Sequence, residues 1–134
     1  LNVTSDGNTG AGTDGYQHTT PSVESTISNS IFSNNGAYGV NCTDCDSSYQ
    51  DYNDFFGNAT AARNNAPVGD NDSTLDPTFT NAAGDDFSIG TNLRALGIPN
   101  DTNSTFPLTD CYTDMGACQR QEPAGSTDLL GVIQ

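Results

Sequence analysis

The sequence predicts an all-β solenoid, in which short strands wind into successive coils. A six-residue phrase of the form Asx-x-x-Phe-x-Asn occurs three times, over residues 29–34, 53–58 and 76–81. Its starts lie 24 and then 23 residues apart, and a fixed period of about 20–30 residues is typical of stacked supersecondary units. The opening Asn or Asp suits a turn, because these side chains tolerate left-handed backbone angles. The phenylalanines of the phrase are expected to stack inside the coils, and they are Phe32, Phe56 and Phe79.

The asparagine that closes each phrase predicts a second stacked feature. Equivalent residues of successive coils lie one strand spacing apart, roughly 4.8 Å. Asn34, Asn58 and Asn81 could therefore form a ladder in which each side-chain amide bonds to the next. The alternative is three ordinary turn asparagines, and the sequence leaves both interpretations open.

The composition is compatible with one thin-cored domain. The chain has 134 residues, of which 33% are hydrophobic, and it has no tryptophan. Such a composition can also indicate disorder, because few apolar residues cannot offset chain entropy. The regularly spaced aromatic residues and four cysteines favour a folded chain, since a stack of short strands needs few apolar residues per coil.

The charge is strongly negative and excludes two classes of partner. Seventeen acidic residues stand against three basic ones, for a formal net charge of −14. Nucleic acid and anionic membrane surfaces are excluded, because the chain has almost nothing to neutralise phosphates. Most of the acids are aspartates, which suit turns and calcium sites. A salty habitat would also favour this acidity.

Three segments are expected along the chain. Residues 1–22 predict a polar arm, residues 23–119 the coils, and residues 120–134 a linker and an apolar tail. Within the coils, Val23, Ile27 and Ile31 share the parity of one inward strand face. Residues 59–73 are expected to form an irregular excursion that is too polar for the core.

The four cysteines predict disulfides. Cys42 and Cys45 are close in the sequence, as are Cys111 and Cys118, so local pairing is the first choice among three connectivities. A four-thiolate zinc site is the weaker alternative, because the second pair lacks the two-residue spacing of a zinc knuckle.

Sequons and disulfides together predict an extracellular or cell-surface location. Disulfides persist in oxidising compartments, and Asn-x-Ser/Thr sequons are acceptors for N-glycosylation. In an Asn-rich chain such sequons are weak evidence. The candidate glycosylation sites are Asn2, Asn41, Asn58, Asn71, Asn100 and Asn103. No signal peptide or membrane span is evident, so the sequence is interpreted as a mature chain or a piece of a longer one.

Several phrases carry a resemblance to a known family. They are Asp76-Pro-Thr-Phe79, Asp85-Asp86-Phe87-Ser-Ile89 and Asp114-Met-Gly-Ala117-Cys-Gln119. Through these phrases and the coil at residues 29–35, residues 23–119 resemble the C-terminal portion of secreted, pectate-lyase-like right-handed parallel β-helix proteins. The resemblance implies a short right-handed parallel β-helix of about three to four coils with long loops. It also implies a link to carbohydrate-active enzymes.

The residues themselves argue against an active site. Elimination chemistry on acidic sugars needs a base and cations, but lysine is absent. The three arginines are expected on separate loops, and they are Arg63, Arg94 and Arg120. Hydrolysis needs convergent carboxylates, whereas Asp85 and Asp86 would face opposite sides of a strand. His18 is expected to be solvated in the polar arm. We therefore predict no catalytic residues.

One acidic loop is a candidate metal site. Asp70, Asp72 and Asp76 stand at positions 1, 3 and 7 of a loop, and calcium prefers several oxygen ligands from such a flexible turn. A solvated acidic loop is the alternative. No other cofactor is indicated.

These observations predict a non-catalytic structural protein. The open ends of a solenoid recruit another chain unless they are covered, so the chain is expected to self-associate and stack into a fibre, sheath or cell-surface stalk. The apolar tail at residues 128–134 could add a strand to a neighbour. A glycan-binding or adhesion module is one alternative. The other is the end of a polysaccharide lyase or glycoside hydrolase whose active site lies elsewhere.

Overall fold

The computed structural model describes residues 3–19, 25–43, 49–94, 96–97 and 115–116. This part of the chain is all-β, with a single 3-10 turn at Ala82–Gly84 as its only helix. The strands are β1 (Thr4–Asp6), β2 (Tyr16–His18), β3 (Thr26–Ser28), β4 (Ile31–Ser33), β5 (Tyr38–Cys42), β6 (Tyr49–Asp51), β7 (Asp54–Phe56) and β8 (Ala61–Asn64).

The strands form three parallel sheets. Their orders are β1-β4-β7, β2-β5-β8 and β3-β6, so each of β1 to β5 pairs with the strand three places later in the chain. The pairing of β4 with β7 aligns Phe32 with Phe55, and the pairing of β5 with β8 aligns Val40 with Arg63. Both pairs are 23 residues apart. The prediction of an all-β chain with parallel strands is confirmed.

A small inner core lies between the three sheets. It consists of four buried residues, Ile27, Phe32, Val40 and Phe55. The rings of Phe32 and Phe55 stack with their centroids 5.4 Å apart. These residues come from three different sheets, so their burial ties the sheets together.

The predicted phenylalanine stack is wrong by one residue. Phe56 aligns with Ser33 instead of Phe32, and it is only half-buried. Phe79 lies outside the inner core and packs edge-to-face on Phe87, with centroids 5.3 Å apart. The 23-residue spacing between β4 and β7 explains the difference, because a shift of one residue turns a side chain to the opposite face of a strand.

A second core covers the outer face of the sheet β1-β4-β7. Ile31 precedes Phe32 in β4, so the two side chains point to opposite faces. Ile31 packs with three residues from later in the chain, which are Ile89, Leu93 and Met115. The expectation that Ile27 and Ile31 share one inward face is therefore wrong. Asn29, with a φ of 51°, lies between β3 and β4 and interrupts the alternation.

Polar stretches of the sequence also form strands. β1 and β2 lie within residues 1–22, where a polar arm was expected, and β8 lies within the expected excursion at residues 59–73. Hydrogen bonds hold β1 in place: the Val3 amide donates to Ser30 Oγ at 3.2 Å, and the Gly7 amide donates to the Ser33 carbonyl at 3.1 Å. The predicted linker and tail, residues 120–134, lie outside the described residues.

Candidate functional site

A ladder of asparagine side chains connects the corners that follow β1, β4 and β7. Asn8 Nδ2 donates to Asn35 Oδ1 at 2.8 Å, and Asn35 Nδ2 donates to Asn58 Oδ1 at 2.9 Å. Asn58 Nδ2 in turn donates to the Phe32 carbonyl at 2.9 Å. A ladder therefore exists, with Asn58 as predicted, but Asn8 and Asn35 are its other members in place of Asn34 and Asn81.

The one-residue shift also accounts for this difference. Asn34 is exposed, has a φ of 53° and donates to Asp6 Oδ1 at 2.9 Å. Its neighbour Asn35 is buried and occupies the ladder position below Asn58. Asn81, the third expected member, is exposed and lies before the 3-10 turn.

Asn35→Ala is expected to lower the free energy of unfolding by about 1–3 kcal/mol. The variant removes both side-chain ladder bonds of a buried carboxamide, while Asn8 Nδ2 keeps its bond to Ser5 Oγ and Asn58 Oδ1 keeps its bond from the Asn35 amide. Asn34→Gly is the matched control, because glycine adopts a positive φ easily, and its effect should stay within about 0.5 kcal/mol. Denaturant unfolding measures both. Equal losses for the two variants would contradict the ladder.

A second ladder runs along the sheet β2-β5-β8 and ends on a carboxylate. Asn64 Nδ2 donates to Asn41 Oδ1 at 3.0 Å, and Asn41 Nδ2 donates to Asp14 Oδ2 at 2.8 Å. Asp14 Oδ1 also accepts from the Tyr38 amide at 3.1 Å. The first member of this ladder is thus the carboxylate of Asp14, which only accepts, whereas Asn41 and Asn64 have carboxamides that also donate. The 23-residue spacing of Asn41 and Asn64 is the signal in the sequence that could have revealed this ladder.

Residues 69–75, which we call the closing segment, cover the edges of β6 and β7. The Phe55 amide donates to the Ser73 carbonyl at 3.0 Å, and the Ser73 amide donates to the Asn53 carbonyl at 2.7 Å. Gly69 lies so close to β6 that a Cβ there would come within 2.5 Å of the Gln50 carbonyl oxygen. The closing segment therefore occupies the outer edges of β6 and β7.

A buried ion pair joins β8 to the closing segment. Arg63 occupies the position that aligns with the core residue Val40, and its guanidinium lies 3.8 Å above the centre of the Phe55 ring. Its Nη2 donates to Asp72 Oδ2. The side chains of Arg63 and Asp72 are only 12% and 7% exposed. Burial lowers the pKa of Arg63, which the negative charge of Asp72 opposes.

Asp72 also holds the closing segment to the stack. Its Oδ1 accepts from the Asn53 amide at 2.8 Å, and its Oδ2 accepts from the Gly69 amide at 2.8 Å. One carboxylate therefore joins β8, the start of β7 and the closing segment. The expectation that Arg63 lies on a loop is wrong, and so is the expectation that residues 59–73 are too polar for the core.

Asp54 is a second buried carboxyl group at this end. Asp54 Oδ1 accepts from the Leu75 amide at 3.0 Å, whereas Oδ2 is buried without a partner. Burial raises the pKa of Asp54 to about 6, and the nearby carboxylates of Asp76 and Asp72 add to the rise. Hydrogen bonds from Ser73 and Leu75 act in the opposite direction.

Asp54 is expected to make the protein more stable at mildly acidic pH. A carboxyl group with a raised pKa binds its proton more tightly in the folded state, so its contribution is complete below the ordinary pKa of 3.8 and is lost as the pH rises through about 6. The loss is on the order of 3 kcal/mol, because one pKa unit corresponds to about 1.4 kcal/mol. The measurement is the free energy of unfolding between these pH values.

Asp54→Asn is the matched variant for this pH dependence. It removes the titrating group but keeps the side-chain shape, so subtracting its pH profile isolates Asp54 from other carboxyl groups. One of these is Asp51, whose pKa is lowered by hydrogen bonds from Asn71 against the effect of burial. Parallel profiles for the two proteins would contradict the assignment.

The predicted calcium ligands do not converge. Asp72 faces Arg63, Asp70 is exposed, and Asp76 Oδ1 accepts from the Thr78 amide at 2.8 Å. Within the described residues, no three His, Cys, Asp or Glu side chains come together as a metal site. Calcium binding at these residues stays a prediction.

The other residues weighed for catalysis or disulfides are dispersed. His18 is half-buried, with its Nδ1 3.8 Å from Cys42 Sγ. Asp85 is exposed with a φ of 60°, and Asp86 Oδ1 accepts from the Ser88 amide at 3.1 Å. The disulfide pairing of Cys42 stays a prediction. The remaining expected residues lie outside the described ranges, and they are Cys45, Cys111, Cys118 and Arg120.

The sequons differ in what their side chains do. Asn41 and Asn58 belong to the two ladders, whereas Asn71 is exposed and donates to Asp51 Oδ2 at 2.9 Å. The other three sequons lie outside the described residues. Glycosylation at any of the six stays a prediction.

The most evident candidate site is thus the end formed by β1, β2 and β3, which we call the first-rung edge. In the described part of the chain, each of these strands is the terminal strand of its sheet. No helix among the described residues combines the length and apolar character that crossing a membrane requires. Searches of protein-family models, curated proteins and solved structures find nothing that matches this chain.

Proposed function

We propose that this chain is a non-catalytic structural module of an extracellular fibre, sheath or cell-surface stalk, and that it adds to a longer β-stack through its first-rung edge. The observation that carries the proposal is the position of β1, β2 and β3, which terminate their three sheets at the same end. Exposed terminal strands pair readily with another chain unless something covers them.

The proposal includes winding of the strands into a right-handed parallel β-helix. The pairing of each of β1 to β5 with the strand three places later supports three strands per coil. The alignment of Phe32 with Phe55 and of Val40 with Arg63 supports a second coil of 23 residues. Right-handedness follows from the strong preference of parallel crossovers and from the resemblance to secreted β-helix proteins.

The two ends differ, which supports a terminal position in the stack. The closing segment covers β6 and β7, and the Arg63–Asp72 pair lies beneath it. A module with one covered end extends a stack in one direction only. The open ends of a solenoid also predict that identical copies stack on each other. The experiment below distinguishes such stacking from a terminal position.

A glycan-binding module is the second candidate function. Tyr49 is 53% exposed, and its hydroxyl donates to Asp51 Oδ2 at 3.3 Å. Asn71 reaches the same oxygen. An exposed aromatic ring beside a carboxylate and an amide is suited to a sugar ring, because it offers an apolar face next to hydrogen-bonding groups.

Immunogold electron microscopy of cells that make this chain tests the structural function. Label at the ends of extracellular fibres or stalks is the expected result, and label at regular intervals along them would favour stacking of copies. Diffuse label, together with saturable binding on a glycan array that Tyr49→Ala abolishes, would overturn the structural function in favour of the glycan module.

A further inference from the structure

We propose that the first-rung edge binds an extended segment of a basic partner chain, with lysine or arginine opposite Asp6 and Asp14, and not a second copy of this chain. This inference rests on the proposed function and names the partner at the same edge. Three features carry it: the terminal strands, the acceptors at the ends of the side-chain ladders, and the charge.

Both ladders end at the first rung on hydrogen-bond acceptors. In the first ladder the carboxamide oxygen of each asparagine accepts from the rung before it, as Asn35 accepts from Asn8 and Asn58 from Asn35. The same direction makes Asn8 Oδ1 the acceptor for a preceding rung. In the second ladder the first-rung member is the carboxylate of Asp14, which has no proton to donate.

Asp6 places another carboxylate at the same edge. It is the last residue of β1, and its Oδ1 accepts from Ser33 Oγ at 2.6 Å and from Asn34 Nδ2 at 2.9 Å. Asp6 and Asp14 are both half-buried, and they flank the corner that contains Asn8. A partner at this edge therefore meets two negative charges and needs to bring hydrogen-bond donors.

A second copy of this chain does not supply those donors. Head-to-tail stacking would require its last rung, where the closing segment already occupies the edges of β6 and β7. Head-to-head stacking would place Asp6 and Asp14 against the same carboxylates. The chain carries a net charge of −14 and has only three basic residues, so copies repel each other at any approach.

A basic strand satisfies both requirements. Main-chain groups of an added strand pair with a sheet edge, while its side chains provide selectivity. Lysine or arginine at alternate positions would lie on one side of that strand and could approach the carboxylates. Complementary charge also speeds the encounter and suppresses wrong partners.

Binding of three synthetic octapeptides to the purified chain tests this inference. The peptides alternate threonine with lysine, glutamine or glutamate, and calorimetry measures their affinities at low and high salt. The lysine peptide should bind most tightly, and high salt should weaken it. In the variant carrying Asp6→Asn and Asp14→Asn, its affinity should fall about fivefold, because ion pairs that stay accessible to solvent contribute modestly.

The matched control carries Asp70→Asn and Asp85→Asn, two exposed positions with the same change in net charge. This control should retain the affinity of the original chain. Equal losses in both double variants would show binding to diffuse negative charge and overturn the assignment to this edge. Calcium-dependent dimers in sedimentation velocity, without preference for the lysine peptide, would replace the basic partner with metal-bridged copies.

The outcomes also separate this inference from the proposed function. Absence of label on fibres would contradict the structural role but leave the peptide preference measurable on the purified chain. Conversely, labelled fibres with no preference for the lysine peptide would retain the structural role and overturn the basic partner.

Discussion

Asp72→Asn is expected to lower the free energy of unfolding by about 3–5 kcal/mol, the usual cost of removing one member of a buried ion pair. The variant leaves the guanidinium of Arg63 buried without its counter-charge. Asp72 Oδ2 accepts from both Arg63 and the Gly69 amide. An asparagine N–H₂ group in its place would face these two donors and could accept from neither. Chemical denaturation monitored by circular dichroism measures the loss.

The double variant carrying Arg63→Met and Asp72→Asn separates the ion pair from the rest of the site. Methionine can keep the apolar contact with Phe55 without a charge, so the double variant should be more stable than Asp72→Asn alone. Asp70→Asn, at an exposed neighbouring position, should change stability by less than about 0.5 kcal/mol. A double variant that is no more stable than Asp72→Asn would show that the two side chains do not interact.

Phe55→Ala is expected to cost about 3–5 kcal/mol, whereas Phe56→Ala should cost much less. Phe55 is 4% exposed, stacks on Phe32 and lies beneath Arg63. Its loss would leave a cavity between three sheets and remove the face on which the guanidinium rests. Phe56 points to the other side of β7 and is half-buried.

The two phenylalanines are a matched pair, because they are adjacent and chemically identical. Denaturant unfolding of both variants therefore reports the register of β7 directly. A larger loss of stability in Phe56→Ala than in Phe55→Ala would indicate the 24-residue alignment. That result would contradict the 23-residue register of the sheets.

The fold class could be predicted from the repeated phrase, but the register could not. Two adjacent phenylalanines, Phe55 and Phe56, allow both a 23- and a 24-residue alignment with Phe32. The adjacent pair Asn34 and Asn35 creates the same ambiguity for the ladder. The structure selects the 23-residue alignment, which the spacing of Asn41 and Asn64 in the sequence also favours.

The hydrophobic pattern of the sequence does not reveal the polar strands β1 and β8, for a physical reason. Hydrophobic alternation detects strands that are stabilised by apolar burial, whereas β1 and β8 are held largely by hydrogen bonds and side-chain ladders. A charged residue such as Arg63 rarely occupies a core position, so the sequence alone does not predict one there. Its pairing with Asp72, nine residues later, and its contact with the Phe55 ring make that position favourable.

Through-space proton contacts measured by NMR on the isotopically labelled chain test the stacking most directly. We predict contacts between the rings of Phe32 and Phe55, and a series of carboxamide contacts from Asn8 to Asn35 and from Asn35 to Asn58. Contacts of Phe32 with Phe56 in their place, or Hα–Hα contacts typical of antiparallel pairing between β4 and β7, would contradict the parallel stack on which both proposals rest.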